Sequence, residues 1–417
     1  MKQITNDLQK YIQKHFKDVY DINNSSVIFS EMQKKFINDF HDRIIQGHLA
    51  WFEQLSAIDD SSIAPTSSRS NYSYIPADFR EIIENKMTLH KHYHFSIGSK
   101  KISVVFYANA EKSYPMKTWL KYLQKIFIWL HIANQYSSKN CSPILNIYIY
   151  LTPTRKKIPE SKSVEIGRTH ANTAFTTSCT KTTEIHIYRE EEWFKVFIHE
   201  TFHSLGMDFS TMDSSSADMA IKSIYGLNTH LEDVRLYESY SEVWAEFIHT
   251  CIFVHFQMIK SNSPQTAKYL GGFDEKVRKH LCYEITFSMI QCVKILQHYD
   301  LQVRYICTNS EDSNKNIFKK YKETTPVFSY YVIKSMMLFY INDFIEWAMV
   351  HNHGSFDFLK TDGNIDSYVA FIRKHRSGND YCSQMNMVES LYTSHYRIIH
   401  KNNSTGLTTL RMTMLED

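Results

Sequence analysis

Residues 199 to 203 read His199-Glu200-Thr201-Phe202-His203, two imidazoles four positions apart with a carboxylate beside the first. On a helix, positions i and i+4 share one face, so both rings can converge on one ion while Glu200 reaches a water next to it. That chemistry is metal-dependent hydrolysis, with zinc the expected ion, one per chain. It needs a third protein ligand, an open coordination position and a general base. Glu238, Glu242 and Glu246 recur every four residues in LEDVRLYESYSEVWAEFIHT (231–250) and supply candidates for the third ligand. Tyr240, Val243, Trp244, Phe247 and Ile248 between them make the segment too apolar for a freely solvated acidic stripe, and acids are seldom buried unless paired or coordinating.

The elements around the motif follow from periodicity and stop signals. EEEWFKVFIHETFHSLG predicts a helix, with Glu190, Glu191 and Glu192 in its first turn against the positive end of the dipole and Gly206 as its stop. KTTEIHIYR (181–189) alternates as a strand leading into that helix, ANTAFTTS (171–178) is a short strand before it, and ILNIYIYLTP (144–153) is a buried strand. HYHFSIGSKKISVVFY predicts a hairpin about a Gly-Ser-Lys turn, and MKTWLKYLQKIFIWLHIANQY a helix. Residues 27–56 predict a long amphipathic helix, and past 260 the pattern is mainly helical, at 273–298, 326–350 and 366–376.

The expected fold class is therefore α+β. A helical region at 1–60 and a Ser/Pro-rich loop at 61–72 lead into a catalytic unit at 73–260, and a mainly helical region follows at 261–417.

HETFH followed by EVWAE resembles the gluzincin branch of the zincin metallopeptidases. The resemblance implies a zincin-like catalytic domain, with His199, His203 and Glu242 as zinc ligands, Glu200 as general base and Glu246 orienting a ligand imidazole. ESYSE offers a second frame, with Glu238 as ligand and Glu242 behind it. The resemblance further implies a peptide or protein substrate, lying along ANTAFTTS as an added strand, and a tyrosine at the oxyanion; Tyr330, Tyr331, Tyr237 and Tyr240 are candidates. The metzincin pattern HExxHxxGxxH matches through Gly206 but has Phe209 at its third ligand, with Asp208 one residue early. In texture, NTAFTTSC and IHIYREEEWFKVFIHETFH are similar to proteins of large cytoplasmic DNA viruses, which implies the host cytoplasm or a virion. The competing class is a zincin fold without catalysis, serving as a structural or interaction protein; the retained Glu200 speaks for the enzyme, since a structural site needs no base.

Composition sets limits on other classes. Lys plus Arg exceeds Asp plus Glu by 47 to 44, with the signs interspersed, so no nucleic-acid partner is expected. Arg155, Lys156 and Lys157 read as solvated loop charges, and His90, His92 and His94 as structural residues of a strand. No apolar run of membrane-spanning length and no leader-like segment stand out. The 7 cysteines are scattered without a CxxC pair and read as reduced thiols of a cytoplasmic protein.

Overall fold

The computed structural model describes residues 2–61, 69–112, 114–228, 234–259, 271–308, 310–401 and 409–416. Most of the expected Ser/Pro-rich loop lies outside these residues. Three N-terminal helices, α1 (Gln3–His15), α2 (Lys17–Ser26) and α3 (Glu31–Gln54), precede a short strand β1 (Asp59–Ser61). Ser30 caps α3 in a reciprocal box with Gln33, which sets its start four residues later than the apolar pattern does. After a single-turn α4 (Arg69–Tyr72) come α5 (Ala77–Lys86), the hairpin β2 (Leu89–Ile97) and β3 (Lys100–Ala108), α6 (Met116–Ala133) and β4 (Ile144–Tyr150). A one-turn α7 (Arg168–Ala171), β5 (Ala174–Thr176), β6 (Thr182–Ile187), α8 (Trp193–Ser204), α9 (Ser215–Tyr225) and α10 (Leu236–Met258) complete the part that carries the motif.

The six strands form one mixed sheet in the order β1-β2-β3-β4-β6-β5. β3, β4 and β6 are parallel, with α6 as the crossover from β3 to β4, and β5 pairs antiparallel with β6 at the edge. Alternation sorts the two faces: Ile147 and Ile149 of β4 join the main core with α6 and α8, whereas Tyr148 and Tyr150 point to a smaller cluster under α5 with Phe79 and Ile83. Buried residues from Leu8 to Leu415 belong to the main cluster, so helices from both ends of the chain share one core with the sheet.

The long helix α11 (Phe273–His298) has the bounds its pattern predicts. The apolar run at 326–350 does not form one helix: it passes from a π-helical turn, Phe328–Ile333, to helices Lys334–Phe339 and Ile341–His351. π-turns of this kind often sit at functional sites, and this one carries Tyr330.

Two sequence expectations fail for reasons of tertiary proximity. Cys141–Cys179 and Cys307–Cys382 are disulfides, joining residues 38 and 75 positions apart, and only Cys251, Cys282 and Cys292 are free. Spacing along the chain carries no trace of such pairs, and the argument from reduced thiols to a cytoplasmic location loses its support. Lys156, expected to be solvated, is buried with its Nζ 2.9 Å from Glu192 Oε2. Among the described residues no helix is long and apolar enough to cross a membrane.

Candidate metal centre

Helix α8 is buried along all 12 residues, which is why its sequence is apolar on every side except where polar groups meet designated partners. On its back, Thr201 Oγ1 accepts from Trp129 Nε1 of α6 at 2.6 Å and donates to Ile198 O. At its end Gly206 adopts φ +66°, with Met207 N bonded to Phe202 O and Gly206 N to His203 O. This is the left-handed stop expected from the sequence. A Cβ at Gly206 would also lie 2.9 Å from Cys141 Sγ, so both the backbone and the neighbouring disulfide require glycine there.

The start differs from expectation. Helix α8 begins at Trp193, and Glu190, Glu191 and Glu192 precede it instead of forming its first turn. Glu192 is the N-cap at φ 60°, a conformation costing a non-glycine residue about 1–2 kcal/mol. Tertiary bonds hold it: its Oε1 accepts from Met412 N at 2.5 Å and Thr413 N at 2.6 Å, and its Oε2 faces Lys156. Arg235, the N-cap of α10, is likewise left-handed at φ 52°, so both motif-bearing helices start from a strained residue.

Side by side, α8 and α10 bring three acceptor atoms to one point. His199 Nε2 lies 3.0 Å from His203 Nε2 and 3.0 Å from Glu238 Oε2, and His203 Nε2 lies 3.3 Å from the same oxygen. Donor atoms in a tetrahedral shell at about 2.0–2.1 Å from an ion stand about 3.3 Å apart, so the spacing fits. The far nitrogens are turned to carboxylates: His199 Nδ1 is 3.0 Å from Glu242 Oε1, and His203 Nδ1 meets Asp208 Oδ2. His203 Nδ1 is hydrogen-bonded to Asp208 and His199 Nδ1 stands at ion-pair distance from Glu242, so with each ring neutral and protonated at Nδ1 both Nε2 atoms would present lone pairs toward each other and toward Glu238. Three acceptors at such distances repel unless protons on the imidazoles or a metal ion lie among them. This buried His-His-Glu group could hold a metal ion, and it is the group of that kind found among the described residues.

The placement corrects the phase of the acidic helix. Glu238, the alternative frame, groups with the two imidazoles in the cluster that could hold an ion, and Glu242, the preferred one, stands one turn away behind His199. Glu246 is not on an imidazole at all; its Oε2 accepts from Lys334 Nζ at 2.7 Å. Asp208, weighed as a shifted metzincin ligand, orients His203 from behind and is itself held by Ser210 N at 3.1 Å and Ser210 Oγ at 2.7 Å. Lys195 and Lys334 flank the second oxygen of Glu242. Neither lysine was singled out from the sequence, although a lone lysine within an apolar helical run is itself a signal of a buried partner.

Electrostatics follow this geometry. Burial disfavours charge on His199, but the bonds to Glu238 and Glu242 outweigh it and hold its pKa above the usual imidazole value; Asp208 and Glu238 do the same, more strongly, for His203. Burial raises the Glu200 carboxyl, against the pull of His199 and His203. Glu200 lines a cavity of about 350 Å³ with both histidines, Glu238, Tyr237 and Tyr330. The other two tyrosine candidates are engaged elsewhere: Tyr331 donates to Leu410 O and Tyr240 to Phe356 O. Phe175 and Thr176 of edge strand β5 form another wall of the cavity, where the sequence expected a strand beside the site.

No family model, curated protein or solved structure matches the chain.

Proposed function

We propose that the protein is a zinc-dependent peptidase, with His199, His203 and Glu238 as ligands and Glu200 as general base. The observation that carries this reading is the convergence of His199 Nε2, His203 Nε2 and Glu238 Oε2 on one point at the wall of a cavity that Glu200 also lines. When bound, a zinc ion supplies Lewis acidity, acidifying water and polarising a carbonyl. Among the described residues Glu200 makes no ion pair, and burial makes it a stronger base than an exposed carboxylate. It accepts a proton as water oxygen bonds to the carbonyl carbon, and returns that proton to the amide nitrogen as the C–N bond breaks. Tyr330 and Tyr237 keep their phenolic protons because burial and nearby carboxylates raise their pKa values, so each can donate to a developing oxyanion. β5, the terminal strand of the sheet, can align an extended chain by main-chain pairing.

Glu200→Gln removes the proton acceptor and leaves every metal-facing atom in place. It is expected to bind one zinc per chain, fold as the parent does, and lose nearly all turnover. The assay is incubation of both proteins with a complex peptide library and comparison of new termini by mass spectrometry. Identical termini with zinc bound in both would leave a non-catalytic metal protein.

A further inference from the structure

Among the described residues, once the metal-facing groups and Glu200 are set aside, the charged side chains on the cavity wall are two arginines. Arg168, the first residue of α7, and Arg235, at the head of α10, both line it, and its other lining residues are neutral. Glu238 is taken up by the two imidazoles. Arg168 is exposed, and its guanidinium makes no hydrogen bond or ion pair among the described residues.

That free cation stands on a rigid base. Gly167 packs so tightly that a Cβ there would lie 2.5 Å from Thr324 Oγ1, and Thr324 N bonds to Ile166 O at 3.3 Å. Beneath the segment, the buried guanidinium of Arg189 donates to Thr169 O at 2.6 Å and to Asn172 O at 2.9 Å, tying down the backbone on the C-terminal side of Arg168. Tyr188 and Glu200 line the same cavity as Arg168. A guanidinium held at the rim of a cleft, paired with no carboxylate among the described residues, is suited to a carboxylate brought by a ligand.

We propose that the cavity selects ligands bearing a carboxylate, bound by Arg168. This rests on the peptidase reading in taking the ligand to be a peptide. The carboxylate can belong to an Asp or Glu side chain or to a chain terminus.

The test is binding of zinc-loaded Glu200→Gln protein to fluorescent octapeptides in matched forms, Asp/Glu against Asn/Gln, and free C-terminal acid against amide. Carboxylate forms are expected to bind about tenfold tighter, the scale of one accessible charge-assisted contact. The preference should vanish in Arg168→Ala and reverse in Arg168→Glu, with metal content and melting temperature unchanged. A gain confined to side-chain carboxylates, or to the free terminus, identifies the source. Equal affinity of acid and amide forms, a preference that survives both Arg168 variants, or no binding by any form overturns the proposal. Cleavage of the same peptides by the parent protein is scored separately. Charge-selective binding without cleavage leaves this inference standing and removes the peptidase, while cleavage without charge selectivity does the reverse.

Discussion

Two clusters of buried histidines sit on α10 or its neighbours, and they are electrostatic opposites. At the N-terminal half of α10, His199 and His203 face Glu238, Glu242 and Asp208, and their pKa values are raised. At its C-terminal end His255 bridges His41 and His48 of α3, with Nδ1 3.2 Å from His41 Nε2 and Nε2 2.9 Å from His48 Nδ1, and Gln124 Nε2 lies 2.8 Å from His48 Nε2. Among the described residues these rings bond to one another and to Gln124, and burial pushes His41 and His48 down to about 4 and His255 to about 2, with Asp42 opposing it at His41. Both nitrogens of His255 are spent on its neighbours, so no lone pair is left for an ion. The lesson is that histidine count and burial do not make a cation site. A group that could hold an ion also needs carboxylates near the far nitrogens, which favour turning the Nε2 lone pairs inward and balance a charge placed there.

The sharpest break of this contrast removes ligands. His199→Ala, His203→Ala and Glu238→Gln should each take zinc from one per chain to near zero, whereas His48→Phe should leave it at one; elemental analysis decides. Next come the residues behind the ligands. Glu242→Gln and Asp208→Asn should weaken zinc by about 10 to 100-fold in a chelator competition. Glu246→Gln should leave zinc affinity nearly unchanged and instead cost about 3 kcal/mol of stability, because it removes the nearer of the two carboxylates that neutralise buried Lys334. Zinc retained in Glu238→Gln but lost in Glu242→Gln would restore the frame the ExxAE pattern suggested.

Acidity should separate the clusters as well. Raised imidazole pKa values stabilise the apo protein below the unfolded value of 6.5, and that contribution is lost as pH rises through the folded values. Zinc displaces those protons, so the gap in melting temperature between zinc-loaded and apo protein should widen with rising pH. For His41, His48 and His255 the sign is opposite. Their contribution is present above 6.5 and falls away as pH drops toward about 4, so acid melts of the zinc-free protein should lose stability across that window. The smallest effect expected is from Gln124→Glu, which places a carboxylate on His48 Nε2 and should move the acid transition lower by about one pH unit. An unshifted transition would mean that the histidine chain does not govern it.

Much of the site was legible in the sequence because it lies within single elements. The i, i+4 spacing of His199 and His203 is an intrahelical fact, Gly206 ends α8 as its residue type suggests, and α11 runs over Phe273–His298 as its periodicity indicates. The β2–β3 hairpin and the strands β4, β5 and β6 follow from alternation and turn residues in the same way. Where an element's start depends on a distant segment, the sequence misled: Glu192 was placed in a first turn, but residues 412 and 413 hold it outside as a cap.

Sequence alone thus determined that two imidazoles and a carboxylate share one helix, and that a second helix carries acids every turn. It could not choose among those acids. Glu238 and Glu242 lie on the same face about 6 Å apart along the axis, and only the offset at which α10 packs beside α8 decides which one meets the imidazoles. The packing also decided that Asp208 and Glu242 orient the rings, that Lys195 and Lys334 neutralise Glu242, and that Cys141 finds Cys179. The physical reason is common to all of them. Periodicity records which side of an element is apolar, but register between elements is set by side-chain interlock across the interface, which leaves no repeating mark on either strand of sequence.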